Sequence, residues 1–262
     1  MSILHQVHQG RTTKPPRLLI YGGEGIGKST FGSQAPKAIF VQVEDGADQI
    51  DCAKFPMASK FTDVVNSLKA LAEEDHNYQT VVVDSLSALE RLVWDEVCRE
   101  TNVVNIEKVD GGYGKGYVRA IDYWREVIGL LDRLRNDVGM AVILIAHAKV
   151  EQVEDPDSPS YDRHAPRLNK HASAMVVEWC DAVLFATRKF RNQTEDAGFG
   201  RKRTTVHAVG HDGGERILRT VGGPSCLAKN RFSLPLELPL SWEALVAAMS
   251  TSNSKIGDHN NG

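Results

Sequence analysis

The stretch RLLIYGGEGIGKST, residues 17–30, is the part of this sequence that decides the fold. An apolar segment, residues 17–21, runs directly into a glycine-rich loop with the spacing Gly22-x-x-x-x-Gly27-Lys28-Ser29. A helix should begin inside this loop and end near Pro36, because proline cannot continue a helix. A strand, such a loop and a helix in immediate succession are the context that a phosphate-binding loop requires, which disfavours the alternative of a chance glycine turn.

Each residue type in the loop has a chemical reason. Successive backbone N–H groups must turn toward the phosphates, a geometry that a Cβ atom would obstruct, so the loop needs glycine. The helix N-terminus adds the positive end of its dipole, Lys28 would neutralise the β- and γ-phosphate oxygens, and the Ser29 hydroxyl would ligate Mg²⁺. The sequence therefore predicts ATP and Mg²⁺ as cofactors. The predicted nucleotide-binding residues are Gly22, Gly23, Glu24, Gly25, Ile26, Gly27, Lys28, Ser29 and Thr30.

Apolar runs rich in β-branched residues alternate with helical patterns along most of the chain. This alternation is typical of an α/β fold in which helices cover both faces of a mainly parallel sheet. After residue 186 the pattern changes to short segments between glycine-rich turns, which predicts antiparallel strands that extend the sheet. The predicted strands are residues 17–21, 38–43, 80–84, 141–146, 182–186, 204–209, 217–221 and 226–228, and the predicted helices are residues 61–74, 86–100, 118–136 and one from Ser241.

Composition sets the outer limits of the prediction. With 262 residues and 42% hydrophobic residues, we expect one principal domain over residues 15–250, an N-terminal arm over 1–14 and a disordered polar tail over 251–262. The net charge of -3 gives no global attraction to nucleic acid. No apolar run approaches the roughly 20 residues of a membrane span, and the four cysteines lie far apart. We therefore expect a cytoplasmic protein with no membrane partner.

Acidic side chains end two of the predicted buried strands. Asp84 ends the segment TVVVD and could hold Mg²⁺ through a water. The next residue is Ser85 rather than a glutamate, so a catalytic base must come from elsewhere. Glu44 follows a neighbouring strand, and the carboxyl ends of such strands meet at one crevice, where Glu44 could orient the attacking water. Asp45 is a rival for this role, and a solvated acid at a strand end is the structural alternative.

Four segments in order resemble the RecA/DnaB branch of P-loop ATPases: GGEGIGKST, VQVEDGAD, VVVDSLSAL and ILIAH. The resemblance covers roughly residues 15 to 235 and implies a RecA-like fold, with Glu44 as the catalytic glutamate. His147 stands where the family usually has a glutamine that couples nucleotide state to DNA-binding loops. A sensor role and a structural role are both open for this histidine.

A late basic segment, AKNRF at residues 228–232, resembles the family motif that reaches across a subunit interface to the γ-phosphate of the neighbour. The resemblance implies that Lys229 and Arg231 act in trans, which would make hydrolysis depend on assembly. A basic strand end on a solvated surface is the alternative.

The chain is most similar, within this branch, to short phage-type RecA-core proteins proposed to bind single-stranded DNA and promote annealing or recombination. The run GGYGKGY, residues 111–117, adds to this similarity. The resemblance implies single-stranded DNA, other copies of the chain in a ring or filament with nucleotide at the subunit interfaces, and a single-strand binding protein as partners.

Two segments are candidates for DNA contact. In the glycine-rich run between two helices, Tyr113 and Tyr117 offer stacking faces and Lys115 and Arg119 offer cations for phosphates, with a flexible hinge as the alternative. Residues 149–172 read as a long structureless loop, which in a compact domain is usually functional or disordered. Its first half is acidic, and its second half holds cations that could meet phosphates, namely Arg163, Arg167 and Lys170. The basic runs at residues 188–191 and 201–203 suggest a secondary contact on a hairpin.

Three functions remain open from the sequence. The first is an oligomeric ATPase of the recombinase type, whose hydrolysis of Mg-ATP is stimulated by DNA. The second is a DnaB-like motor or helicase. The third is a P-loop nucleotide switch or phosphotransferase that binds no DNA.

Overall fold

The structure, a computed structural model, describes residues 3–7, 9–10, 12–156, 158–196, 202–208 and 214–257. The strands are β1 (Arg17–Gly22), β2 (Ala38–Gln42), β3 (Ala53–Lys54), β4 (Thr80–Asp84), β5 (Ala141–Asp155), β6 (Ser158–Pro166), β7 (Ala182–Arg188), β8 (Phe190–Asp196), β9 (Lys202–Ala208), β10 (Arg216–Arg219), β11 (Lys229–Asn230) and β12 (Glu237–Pro239). The helices are α1 (Lys28–Ser33), α2 (Phe61–Glu73), α3 (Leu86–Thr101), α4 (Lys115–Arg133), α5 (Lys170–Trp179) and α6 (Trp242–Gly257). Short 3₁₀ turns cover Ile3–Gln6 and Ile106–Gly111, and one π turn, Leu134–Val138, follows α4.

The centre of the fold is a mixed sheet with the strand order β12-β10-β7-β1-β5-β4-β2-β3. The strands from β7 to β3 run parallel, whereas β10, β11 and β12 pair antiparallel. The predicted fold class, a mainly parallel sheet flanked by helices with antiparallel C-terminal strands, is therefore confirmed. Because the parallel strands share one direction, the ends of β1, β2 and β4 lie along the same edge of the sheet, level with His147 in the middle of β5.

Both faces of the sheet are buried, which explains why its central strands are continuously apolar. On β1, Leu19 and Tyr21 face a core formed with α2, α3 and α4, where Trp124 is fully buried. Leu18 and Ile20, one residue out of step, face a second core that holds Phe31 of α1 together with residues of β12 and α6. Successive side chains of a strand point to opposite faces, so each strand supplies both cores. Polar groups are left to the ends of the strands.

Strand β5 corrects the prediction of a structureless loop over residues 149–172. It continues to Asp155 and pairs antiparallel with β6, after which α5 begins at Lys170. Opposite charges stabilise this hairpin, since Glu151 and Arg163 are directly paired in register and form an ion pair with a 3.0 Å N–O distance. Charged residues on both strands hid the alternation that marks a strand.

The C-terminal part differs from the prediction in three places. Residues 204–208 belong to β9, which pairs with β8 in a separate two-stranded sheet and does not extend the main sheet; residue 209 lies outside the described residues. The third antiparallel strand begins at Lys229 and not within residues 226–228. Helix α6 continues to Gly257, so a disordered tail from residue 251 is wrong for residues 251–257; residues 258–262 lie outside the described part. Within the described residues, no helix combines the length and the apolar character that crossing a bilayer requires.

Candidate functional site

The glycine-rich loop joins β1 to α1 at the edge where the parallel strands end. Gly22 is packed so closely against β7 that a Cβ atom there would lie 2.3 Å from the carbonyl oxygen of Ala186. Gly25 and Gly27 have φ values of 68° and 108°, a left-handed conformation that favours glycine. Gly27 is also the N-cap of α1, so the free N–H groups of this helix open at the loop. The loop therefore has the backbone shape that a phosphate cradle needs.

Lys28 is buried inside the curve of this loop. Its Nζ donates hydrogen bonds to the carbonyl oxygens of Gly22 and Gly23, at 3.1 and 2.8 Å. Burial lowers the pKa of Lys28, and the nearby carboxylates of Asp84 and Glu44 act in the opposite direction. A desolvated ammonium group enclosed by backbone carbonyls is well placed to exchange those contacts for phosphate oxygens.

Ser29 and Asp84 form the pair that could hold a magnesium ion. The Ser29 hydroxyl donates to Asp84 Oδ2 at 2.5 Å, which brings the start of α1 and the end of β4 together. Asp84 is only 5% exposed, and burial raises its pKa while the bond from Ser29 and the charge of Lys28 lower it. The described residues hold no cluster of three or more His, Cys, Asp or Glu side chains suited to a metal. Two oxygen ligands nevertheless fit Mg²⁺, which usually keeps several waters and substrate phosphate oxygens.

Glu44 and His147 meet across the end of β4. His147 Nε2 lies 2.9 and 3.1 Å from the two carboxylate oxygens of Glu44. The opposite ring nitrogen, Nδ1, is buried and has no hydrogen-bond partner among the described residues, since Glu24 at 3.9 Å is too distant for one. Strands β2 and β5 are not neighbours. Glu44 lies two residues after β2 and His147 lies where β5 leaves the parallel sheet, so both side chains reach the same edge, as predicted.

One cavity of about 590 Å³ joins these groups. Three of the predicted nucleotide-binding residues, Gly22, Gly23 and Ile26, do not line this cavity. The carbonyl oxygens of Gly22 and Gly23 bind Lys28, and Ile26 is buried. The lining of the cavity includes Glu24, Gly25, Gly27, Lys28, Ser29, Thr30, Glu44, Asp45, Asp84 and His147.

Three arginines also line this cavity, and two of them were not predicted from the sequence. Arg91 lies on α3, one helical turn after Ser87, and Arg216 begins β10. The Nη1 of Arg216 approaches Gly27 so closely that a Cβ there would lie 3.2 Å from it. Arg167, assigned to DNA contact above, is the third. Arg91 lies on the helix that directly follows Asp84, so its position in the sequence could have indicated that it is near the site. No feature of the neighbouring sequence indicates the same for Arg216.

A protein-family model described as an AAA domain matches residues 14–232. The chain belongs to this AAA domain family. Among curated proteins it is similar to the SPbeta prophage-derived uncharacterized protein YorG of Bacillus subtilis strain 168, with 27% identity over 172 residues. The match covers 64% of this chain and 49% of that protein, so the chain spans about half the length of this relative. The family is one of P-loop ATPases. Nucleotide binding in the cavity beside Lys28 stays a prediction.

The glycine-rich run of this AAA domain is ordered around the start of α4. Tyr113 is fully exposed, with a φ of 56°. Lys115 and Arg119 lie on α4 and not in a loop, and both contact Asp110, through its carbonyl oxygen and its carboxylate respectively. Tyr117 is half-buried, and its ring forms a T-shaped pair with Trp94 with 5.4 Å between ring centroids. Its role as a stacking face stays a prediction.

The cations predicted near the β5–β6 hairpin do not share one surface. Arg163 is held by Glu151, Arg167 lines the nucleotide cavity and Lys170 is exposed at the first turn of α5. The described part of the hairpin carries more acids than bases, namely Glu151, Glu154, Asp155 and Asp162 against Lys149 and Arg163. Extended phosphate contact along this hairpin is therefore disfavoured.

Lys229 and Arg231 lie at the opposite edge of the sheet from Lys28 of the same AAA domain. Strand β11 pairs with the beginning of β7, whereas the glycine-rich loop adjoins the end of β7. Lys229 Nζ donates to the carbonyl oxygens of Val177 and Glu178 at the end of α5, and Arg231 lies 3.5 Å from Asp181. These residues cannot reach the nucleotide of their own chain, and their action on a neighbour stays a prediction.

Proposed function

We propose that this chain is a Mg²⁺-dependent ATPase that assembles on single-stranded DNA and promotes annealing or homologous recombination. The observation that carries the proposal is the convergence of Lys28, the Ser29–Asp84 pair and the Glu44–His147 pair on one cavity. Each of these groups comes from a different strand end or from the loop, so their meeting is a property of the folded site. Groups arranged in this way can bind, orient and activate the reactants of triphosphate hydrolysis.

Each group has a separate task in the proposed reaction. The loop N–H groups and Lys28 bind the β- and γ-phosphates, and Ser29 and Asp84 hold Mg²⁺, which supplies neutralising charge on the phosphate oxygens when bound. Glu44 orients the attacking water and accepts its proton. His147 holds the Glu44 carboxylate through Nε2, which keeps the base at the cavity wall.

The DNA and assembly parts of the proposal rest on exposed groups outside the cavity. Tyr113 is a fully exposed ring, and stacking on such a ring is tolerant of base sequence. Lys115 and Arg119 follow Tyr113 closely in sequence, and Lys170 is exposed at the start of α5, so each offers a cation for phosphates. Arg231 is 54% exposed and remote from its own nucleotide site, which favours action on a neighbouring copy. The prophage-derived relative is in keeping with a phage recombination protein.

A phosphotransferase is the second candidate, and the three arginines of the cavity favour it. Arg91, Arg167 and Arg216 line the proposed triphosphate site. Their charges could neutralise a phosphoryl group while it is transferred to an acceptor. Transfer of labelled phosphate from ATP to a small acceptor in place of water would establish this function and exclude the first. Directional unwinding by the purified chain would instead favour a DnaB-like motor.

The first proposal is tested by measuring ATP turnover against added single-stranded DNA while particle size is followed by light scattering. We expect turnover to rise with DNA and to require the assembled particle. Lys28→Ala serves as the control for contaminating ATPases, because its loss of phosphate binding should abolish turnover. DNA that leaves the rate unchanged at low salt would remove the DNA part of the proposal, and absence of ATP binding at millimolar concentration would remove all of it.

A further inference from the structure

Arg167 reaches the nucleotide cavity from an unexpected place, the end of strand β6. The residue follows the β5–β6 hairpin, and its position in the sequence suggested contact with DNA. In the fold, the return strand brings it back beside His147, the residue at which β5 passes the end of β4. Its side chain then lines the same cavity as Lys28 and Glu44.

The backbone of Arg167 is held on both sides. Its N–H donates to the carbonyl oxygen of His147 at 2.8 Å. The buried hydroxyl of Ser87 accepts the N–H of His147 and donates to the carbonyl oxygen of Arg167, each at 3.1 Å. A single serine on α3 therefore links the two residues, and their relative position is set by three hydrogen bonds.

The next residues are fastened to the same helix and hairpin. Lys149 Nζ donates to the carbonyl oxygen of Leu168 at 2.9 Å, and the buried Glu90 carboxylate accepts the N–H of Asn169 at 2.8 Å. A side chain carried by a segment with this many fixed contacts is well suited to a defined binding role, because little ordering is needed when a ligand arrives.

Among the residues that the structure describes, the charge of Arg167 has no ion-pair partner. The structure as described places no carboxylate within ion-pairing distance of its guanidinium, in contrast to Arg163 four residues earlier, which pairs with Glu151. Burial lowers the pKa of Lys28 and the charge of Arg167 adds to this effect, whereas Asp84, Glu44 and Glu24 raise it. Arg167 and Lys28 line one cavity, so a phosphate oxygen between them would be attracted by both cations.

We infer that Arg167 binds the γ-phosphate of ATP within its own chain and so distinguishes ATP from ADP. This assignment rests on the proposed function and gives Arg167 the γ-phosphate as its ligand in place of DNA. The γ-phosphate is favoured over the other phosphates because Arg167 is tied to His147, whose ring holds the base Glu44 on the side where water attacks. The inference also moves Arg167 out of the set of DNA-contacting residues.

The test is a comparison of binding by calorimetry for a non-hydrolysable ATP analogue and for ADP, each with Mg²⁺. For Arg167→Ala we expect the analogue to bind about tenfold to a hundredfold more weakly, the usual effect of losing a charged hydrogen bond, with ADP affinity almost unchanged. Arg167→Lys should recover part of the loss. Arg99→Ala is the matched control, since this exposed arginine pairs with Glu96 away from the cavity. Single-stranded DNA affinity without nucleotide should be the same in all variants.

Two results would overturn the inference while leaving the proposed function intact. One is an unchanged ratio of analogue to ADP affinity in Arg167→Ala, including an equal loss of both ligands. The other is a loss of DNA affinity with normal analogue binding, which would return Arg167 to the DNA-contacting set. A wild-type chain that binds neither nucleotide would instead refute the proposed function together with the inference.

Discussion

Replacing Glu90 by Gln should make the chain more stable at pH 8 and leave its stability nearly unchanged near pH 4.5. Glu90 lies on α3, is 5% exposed, and accepts the N–H of Asn169. Burial raises the pKa of its carboxyl from 4.5 to about 7, against smaller opposing effects of the Asn169 bond and Lys149. The folded state therefore binds this proton more tightly than the unfolded chain does, so stability falls as pH rises from about 4.5 to 7 and is level above that range.

The size of the effect follows from the displacement of the pKa. At 1.36 kcal/mol for each pKa unit, a change from 4.5 to about 7 corresponds to about 3 kcal/mol of lost stability at pH 8. Glutamine keeps an oxygen acceptor for Asn169 and never ionises, so Glu90→Gln removes the loss. The free energy of unfolding in urea, followed by circular dichroism between pH 5 and 8, should show the variant gaining on the wild type as pH rises.

Glu96→Gln on the same helix is the control with the opposite sign. The hydrogen bond from Arg99 lowers the pKa of Glu96, so its stabilisation is present above the ordinary pKa and is lost as pH falls through the lowered value. Because the Arg99 side chain is 66% exposed and the pair joins adjacent turns of one helix, it should contribute less than about 1 kcal/mol. The difference in unfolding free energy between Glu90→Gln and the wild type should grow between pH 5 and 8. A difference that stays constant or shrinks would refute the explanation that burial raises the pKa of Glu90.

Two further variants address the proposed chemistry. Glu44→Gln should keep ATP affinity and lower the single-turnover hydrolysis rate by about a hundredfold or more, because glutamine cannot accept the proton of water; a rate within threefold of wild type would point to Asp45 as the base. Arg231→Ala by itself should lose ATP turnover. Mixing it with Lys28→Ala chains should restore part of the turnover, because those chains still supply Arg231 to the intact ATP site of a neighbouring Arg231→Ala chain. An equal rate in the mixed and unmixed preparations would contradict action in trans.

The phosphate-binding loop and the class of fold could be predicted from the sequence because they depend on neighbouring residues. Gly25 and Gly27 mark positions of positive φ, and the apolar run before them marks a strand buried on both faces. Asp84 and Glu44 were placed at the site in the same way, since Asp84 ends β4 and Glu44 lies two residues after β2, and the carboxyl ends of both strands lie at the shared edge of the sheet. In these cases the physical cause lies within a few residues of the observed pattern.

The contacts between segments that are distant in the sequence were decided only by the tertiary structure. Arg167 entered the cavity because β6 returns along β5 to His147, and Arg216 because β10 pairs with β7, arrangements that depend on strand order and register. The contact between Tyr117 and Trp94 has the same origin, since Trp94 belongs to another helix. Sequence periodicity states which face of an element is apolar. It does not state which other element covers that face, because the free energy of that choice comes from packing the whole chain at once.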